Sequence, residues 1–307
     1  WGEATSSGSE GQSVFDHNGG TVNPRFRIGA ITDEFSPDLG IALDGMKAIG
    51  MTGAELRVLW GKNIMDLTND ELAKAKDLLA TKGIEVVSIA SPLLKCVLPN
   101  APDVDSRFQQ DMFASKHTYA DQPRLAEHAI AVAETFNTKI IRVFSYWRTV
   151  NPDACFDRIA EALLSLAHLA GQHGMTIGLE NEHACNVGTA VESAKMLAAA
   201  QHPNLKLVWD PANAFVGGES PFPYGYGLLP ADRIGHVHVK DCHMEGQTPV
   251  WGPVGTRGID WKGQIAALRR DGYQGWLNLE THWQGPANDK FQASTICGWN
   301  LRGLAAM

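Results

Sequence analysis

From Ile28 onward, short apolar runs alternate with longer stretches whose apolar positions recur at helical spacing. Residues 28–32 predict a strand, and 37–49 a helix with Pro37 in its first turn and Gly50 as its stop. Residues 54–60 predict a second strand. Thr68 and Glu71 have the spacing of a capping box for a helix through Leu79, and Gly83 releases the chain into a third strand, 84–90. Residues 91–121 are less regular and read as a long loop with a short helix. Beyond them the pattern predicts a helix over 123–136, a strand over 140–144 and a helix from Pro152 to about Gly174. Strand Thr176–Glu180, a helix over 189–200 and strand Leu205–Trp209 follow. A connection rich in Pro, Gly and aromatic residues fills 211–230. Strand Ile234–Val239, another long loop, helix Trp261–Arg270, strand Trp276–Leu279 and a closing helix from about Lys290 complete the chain.

Eight strand–helix units give the count of an α/β fold closed on itself, the (β/α)8 or TIM barrel. Covering helices account for apolar residues at outward strand positions such as Val237, Val239, Leu277 and Leu279. An open doubly wound sheet is the competing fold, but no Gly-rich phosphate turn follows an early strand. Residues 28–307 read as one barrel domain. Residues 1–27, mostly Gly, Ser, Asn and acidic residues, read as a polar tail. The opening Trp1-Gly2 suggests a processed or cut start, which leaves export open beside a slightly favoured cytoplasmic placement.

Charged residues fall at the carboxyl ends of the last four strands, the face where barrel loops gather substrate. Alternation turns Leu179 outward and Glu180 inward; by the same parity Asp210, the trio His236, His238 and Lys240, and the pair Glu280 and His282 face the axis. Three carboxylates in one narrow mouth repel unless a cation offsets them. One divalent metal per chain, with Glu180, Asp210, His238 and Glu280 as ligands, resolves that repulsion. Three oxygens and one imidazole suit Mn²⁺ best, with Mg²⁺, Co²⁺ or Zn²⁺ as alternatives. His236, one layer deeper, reads either as a donor that orients the ligands or as a satisfied core histidine. Glu55 and Arg57 share a face of the second strand and read as supporting residues or as a salt-bridged floor. Lys95 and Arg142 are candidates to reach a substrate oxygen, and Glu34 to cap the mouth. Lys240 either holds a substrate oxygen or pairs with Asp241, and His183 and His282 are reserve acid–base groups.

Nine Trp are many for 307 residues. Trp60, Trp147 and Trp251 fall at strand ends or in the loops beyond, where aromatic faces suit the C–H faces of a carbohydrate. Trp261, Trp276 and Trp299 read as core. Lys plus Arg is 26 against 34 Asp plus Glu, a formal charge of −8, which disfavours nucleic acid as a partner. No apolar run approaches the roughly 20 residues of a membrane-spanning helix. The five cysteines show neither metal-knuckle nor dense disulfide spacing. Apolar residues in the long loops leave a homo-oligomer open.

The motifs Gly29-Ala30-Ile31-Thr32-Asp33-Glu34, Glu55-Leu56-Arg57, Leu179-Glu180-Asn181, Trp209-Asp210-Pro211-Ala212-Asn213, His236-Val237-His238-Val239-Lys240-Asp241 and Gly272-Tyr273 leading to Leu279-Glu280 lie along most of the chain. In them the sequence resembles the xylose-isomerase-like barrel superfamily, in its sugar phosphate isomerase/epimerase group. The resemblance implies one metal on Glu180, Asp210, His238 and Glu280. It also implies that Glu180 and Glu280 are catalytic, moving protons on opposite sides of a sugar or keto-sugar through a metal-stabilised ene-diolate. Tagatose-3-epimerase-like members carry a substrate-binding His where Asn213 stands and an Arg where Met244 stands. These departures keep a lyase or dehydratase acting on a keto-sugar or keto-glycoside in view, beside a non-catalytic sugar-binding barrel. Type IV apurinic endonucleases share the superfamily but need three zinc ions and a DNA-binding surface, against which the single-metal set and negative charge argue.

Overall fold

The computed structural model describes residues 26–108 and 116–307. The expected polar tail lies outside them except for its last two residues, and Arg27 already belongs to the first strand. Among the described residues, the strands β1 (Arg27–Ile31), β2 (Gly53–Leu56), β3 (Glu85–Leu93), β4 (Ile140–Val143), β5 (Thr176–Glu180), β6 (Leu205–Trp209), β7 (Ile234–Val239) and β8 (Trp276–Leu279) form a closed parallel barrel. Its order runs β1-β8-β7-β6-β5-β4-β3-β2, so the first and last strands close the seam, with Ile28 beside Leu277. Helices α1 (Leu39–Ile49), α2 (Asn69–Lys82), α3 (Gln122–Thr135), α4 (Phe156–Gln172), α5 (Ala190–Ala199), α6 (Pro211–Val216), α7 (Trp261–Arg270) and α8 (Lys290–Ala305) accompany it.

Local chemistry sets these boundaries. Thr68 and Glu71 form the expected capping box at α2, and Thr189 with Glu192 forms another at α5. Gly83 ends α2 in the left-handed region at φ 66°. In α4 the buried Ile159, Leu163, Ala167 and Ala170 recur every three or four residues, the stripe a helix needs to cover a sheet.

Several expectations are corrected. Pro37 precedes α1 rather than opening it, because the Asp38 carboxylate accepts from the Ile41 N–H at 3.0 Å and is the cap. The second strand stops at Leu56. Trp60 and Gly61, both at positive φ, then turn a tight hairpin between Val58–Leu59 and Lys62–Asn63. The connection after β6 begins with α6, whose N-cap is Asp210 itself. The long loop after β7 is a second hairpin, Asp241–Glu245 with Thr248–Gly252. Trp261 and Trp276 are buried as expected, whereas Trp299 is half exposed on α8 with the Arg302 guanidinium over its ring. The five cysteines are buried and unbridged.

The barrel interior narrows below the mouth. A Cβ on Gly29 would collide with the Gly53 carbonyl oxygen and with Asn278 Oδ1, so that wall admits no side chain. Above it, a layer of Glu55, Ser88, His236 and Asn278, all buried, replaces the apolar filling usual in barrels. This polar plug is the platform of the site.

Candidate metal centre and the cavity above it

The ends of β5 to β8 bring Glu180, Asp210, His238 and Glu280 together. One ligand atom from each lies within 4.8 Å of those of the others, and all four residues are buried. Pleating does this, since Leu179, Val237, Val239 and Leu279 pack into the apolar core and their neighbours turn inward. Glu180 Oε2 and Asp210 Oδ2 are buried with no aligned hydrogen bond, each facing one cationic side chain, which leaves lone pairs for a metal cation. Three carboxylates and one imidazole, with no thiolate, fit one divalent metal ion, and leave its identity open.

Beneath the ligands, Glu55 fixes the imidazole. Its Oε2 accepts from Nε2 of His238 at 3.0 Å, Nε2 of His236 at 3.0 Å and Nδ2 of Asn278 at 3.1 Å, while Ser88 Oγ donates to its Oε1 at 3.2 Å. His238 therefore keeps Nδ1 for the mouth, 3.2 Å from Glu180 Oε1 and 3.4 Å from Glu280 Oε2. Burial disfavours its imidazolium, yet Glu55, Glu180 and Glu280 together hold its pKa well above the ordinary value. Burial likewise opposes ionisation of Glu55, but the two histidines hold it well below the carboxylate range. His236 thus acts on the ligands through the shared Glu55 rather than by touching a carboxylate ligand.

Arg57 reaches across the seam. Nη2 lies 2.8 Å from Asp33 and 2.7 Å from Glu34, and Nη1 lies 2.9 Å from Glu280 Oε1. It clasps the mouth rather than flooring the barrel. Lys290 supports Glu34 from the other side. Arg142 Nη1 stands 3.2 Å from Glu180 Oε2, and Asn213 Nδ2 donates to Glu180 Oε1 at 3.3 Å. Lys240 does not pair with Asp241, whose carboxylate instead accepts four backbone N–H groups from Gly255, Thr256, Arg257 and Ile259. Lys240 Nζ lies 2.8 Å from both Asp210 Oδ2 and Glu280 Oε2. Those two carboxylates shift in opposite directions. Burial and two anionic neighbours push Asp210 up despite Lys240, while against its own burial Glu280 is held well below the ordinary range by Lys240 and His238.

A cavity of about 590 Å³ opens above the cluster, lined among others by Arg57, Lys95, Arg142, His183, Trp251, Glu280 and His282. His183 Nδ1 is 3.0 Å from Glu182 Oε1 and 3.1 Å from Asn213 Oδ1. Lys95 lies over the Phe144 ring, 4.3 Å from its centroid, and Trp251 packs edge-on to His282. Asn213 and Lys240 are buried below the lining rather than in it. Trp60 and Trp147 are not lining residues: the hairpin turn sends Trp60 toward Lys74, and Trp147 bridges to Cys185 beside the cavity.

A family model described as xylose isomerase-like TIM barrel matches residues 43–297. The chain belongs to that family. Among solved structures, D-allulose 3-epimerase from Methylomonas, in complex with D-allulose, is 21% identical at a TM-score of 0.64, over 92% of this chain and 95% of that one. A probable 3-DHS dehydratase involved in petrobactin synthesis from Bacillus anthracis is 19% identical at 0.65, over 88% and 97%. A xylose isomerase-like TIM barrel/4-hydroxyphenylpyruvate dioxygenase fusion protein is 17% identical at 0.66; the match covers 91% of this chain and 42% of the fusion. No curated protein matches the chain.

In this member of the xylose isomerase-like barrels the charged groups around the site are linked. The linked network holds seven carboxylates (Asp33, Glu34, Glu55, Glu180, Glu182, Asp210, Glu280) and five Lys or Arg (Arg57, Lys95, Arg142, Lys240, Lys290). Sequence reasoning missed Glu182, Asp33 and Lys290 as members of this network, and Asn278 as a donor to Glu55. Parity marks Glu182, two residues beyond Glu180, but only if the strand direction continues past its hydrogen-bonded end. Asp33 carries no such signal, since it sits in a turn. Parity also marks Asn278, between the outward Leu277 and Leu279, as an inward residue.

Proposed function

We propose that this protein is a divalent-metal-dependent isomerase or epimerase that moves a proton next to the carbonyl of a sugar or keto-sugar. The observation that carries the reading is the convergence of Glu180 and Glu280 on one buried cluster with Asp210 and His238, which meets a 590 Å³ cavity at Glu280. A bound divalent ion supplies Lewis acidity at the substrate carbonyl and stabilises the negative charge that develops there. The chain's own residues do the rest. Glu180, held by Arg142 and Asn213, and Glu280, held by Arg57 and Lys240, come from β5 and β8 and reach the substrate from different sides. One takes the proton and the other returns one. Lys95, Arg142, His183 and His282 hold hydroxyl oxygens, and the Trp251 face packs on C–H groups. The family and the ketose epimerase of the same fold support the same class.

A second reading, a lyase or dehydratase on a keto-sugar or keto-glycoside, draws on one specific contact. His183, braced by Glu182, faces the cavity beside Glu180, and an imidazole there can protonate a leaving oxygen. The test is proton exchange. Protein loaded with Mn²⁺ is incubated in D₂O with a panel of ketoses, keto-sugars and keto-glycosides, and deuterium at the carbon beside the carbonyl is read by mass spectrometry. Exchange that requires the metal and vanishes in Glu280→Gln is the expected result. Exchange accompanied by loss of water or an aglycone selects the lyase. A folded, metal-loaded protein that exchanges no C–H across the panel would leave a sugar-binding barrel instead.

A further inference from the structure

Lys240 stands where its charge matters most. Its ammonium is 2.8 Å from Asp210 Oδ2 and 2.8 Å from Glu280 Oε2, two of the four residues of the cluster. Its side chain is 1% exposed, so water screens these contacts little. It is the ammonium that reaches both carboxylates, while Arg142 serves Glu180 and Arg57 takes the other oxygen of Glu280. An ammonium and a divalent ion draw on the same oxygen lone pairs, and each raises the cost of bringing up the other.

We infer that Lys240 is an internal competitor that sets the metal affinity of the site, holding Asp210 and Glu280 against the ion and keeping its binding weak and exchangeable. The inference rests on the metal reading given above. It differs from a supporting role, in which Lys240 would orient the two carboxylates for the ion and its loss would weaken binding. Asp210 needs no such help. The Asn213 N–H donates to its Oδ1 at 2.9 Å, and its own N–H donates to Asn181 Oδ1 at 2.8 Å, so both its side chain and its backbone are already fixed. Glu280 is fixed by Arg57 in the same way.

The probe is the metal alone. Mn²⁺ binding to the wild type, Lys240→Gln and Lys240→Met is measured by isothermal calorimetry and by the loss of the free Mn²⁺ electron paramagnetic resonance signal. Gln keeps a hydrogen-bond donor without the charge, and Met keeps the length. Removing a unit charge this close to two ligands is expected to tighten Mn²⁺ binding on the order of tenfold or more in both variants. Equal or weaker binding in folded Lys240→Gln overturns the inference and leaves the metal centre standing. Binding by none of the three proteins sinks the metal centre itself, and the inference with it. A measurement on the wild type guards against misfolded variants. The Lys240 side-chain ammonium resonance, followed by NMR during titration with diamagnetic Mg²⁺, is expected to move as the site fills. A signal unchanged at saturating Mg²⁺ overturns the competition.

Discussion

Glu55→Gln tests the platform under the cluster. In the native barrel the Glu55 carboxylate accepts from three side chains at Oε2 and from Ser88 at Oε1. Gln is nearly the same size, so packing is kept, and its amide oxygen can stay facing the two histidines and Asn278. What goes is the negative charge that fixes the proton of His238 on Nε2 and makes Nδ1 basic. Loss of such an outer partner weakens metal binding roughly 10–100-fold, about 1.4–2.7 kcal/mol. The charge-assisted hydrogen bonds lose strength as well, so the apoprotein is expected to be destabilised by about 1.5–3 kcal/mol. The assay is Mn²⁺ titration with thermal melting of the same samples. A Glu55→Gln protein that melts normally and binds Mn²⁺ as tightly as the wild type would refute the idea that Glu55 acts on the metal through His238.

Other outcomes follow from the same contacts. Glu180→Gln and Glu280→Gln should abolish metal-dependent deuterium exchange while leaving the circular dichroism of the barrel unchanged. Normal exchange by Glu280→Gln removes it from the proton path. Arg57→Met strands Asp33, Glu34 and Glu280 without their shared guanidinium, and breaking a buried ion pair from one side costs about 3–5 kcal/mol, read from denaturant unfolding. His183 is buried enough to disfavour its charge, but Glu182 holds its pKa above the ordinary value. Its imidazole should therefore titrate above about 6.5 by NMR and drop in Glu182→Gln. Because the folded value is raised, the stability this pair contributes is full below that pH and is lost as pH rises through the raised value. The melting difference between wild type and Glu182→Gln should narrow in that direction, and a difference that widens contradicts the pairing.

How much of this was legible in the sequence differs between elements. Leu205–Trp209, Ile234–Val239 and Trp276–Leu279 stand in the structure with the bounds the sequence marks, because outward residues such as Leu207, Val237, Val239, Leu277 and Leu279 must be apolar to pack under the helices even where the inward ones are polar. Thr68 with Glu71 was legible because a cap is a local contract between neighbours. Parity alone brought Glu180, Asp210, His238 and Glu280 to one face. The short β2 was not legible: Val58 and Leu59 look like strand, and only the positive φ at Trp60 and Gly61 reveals the hairpin. Nor was the place of Lys240. A lysine on the inner face has several carboxylates within reach, and the choice between Asp241 and the pair Asp210 and Glu280 depends on four backbone N–H groups that already hold Asp241. Trp299 was misread because aromatic content says nothing about which helix face a residue takes.

The seam between β1 and β8 has a consequence for biosynthesis. Glu280 arrives just after β8, and Arg57 near the start of the barrel waits for it while β3 to β7 are made. A ribosome-bound chain that ends before residue 276 holds Glu180, Asp210 and His238 but lacks both Glu280 and the strand that closes the ring, so the four-residue cluster is complete only once that strand has emerged.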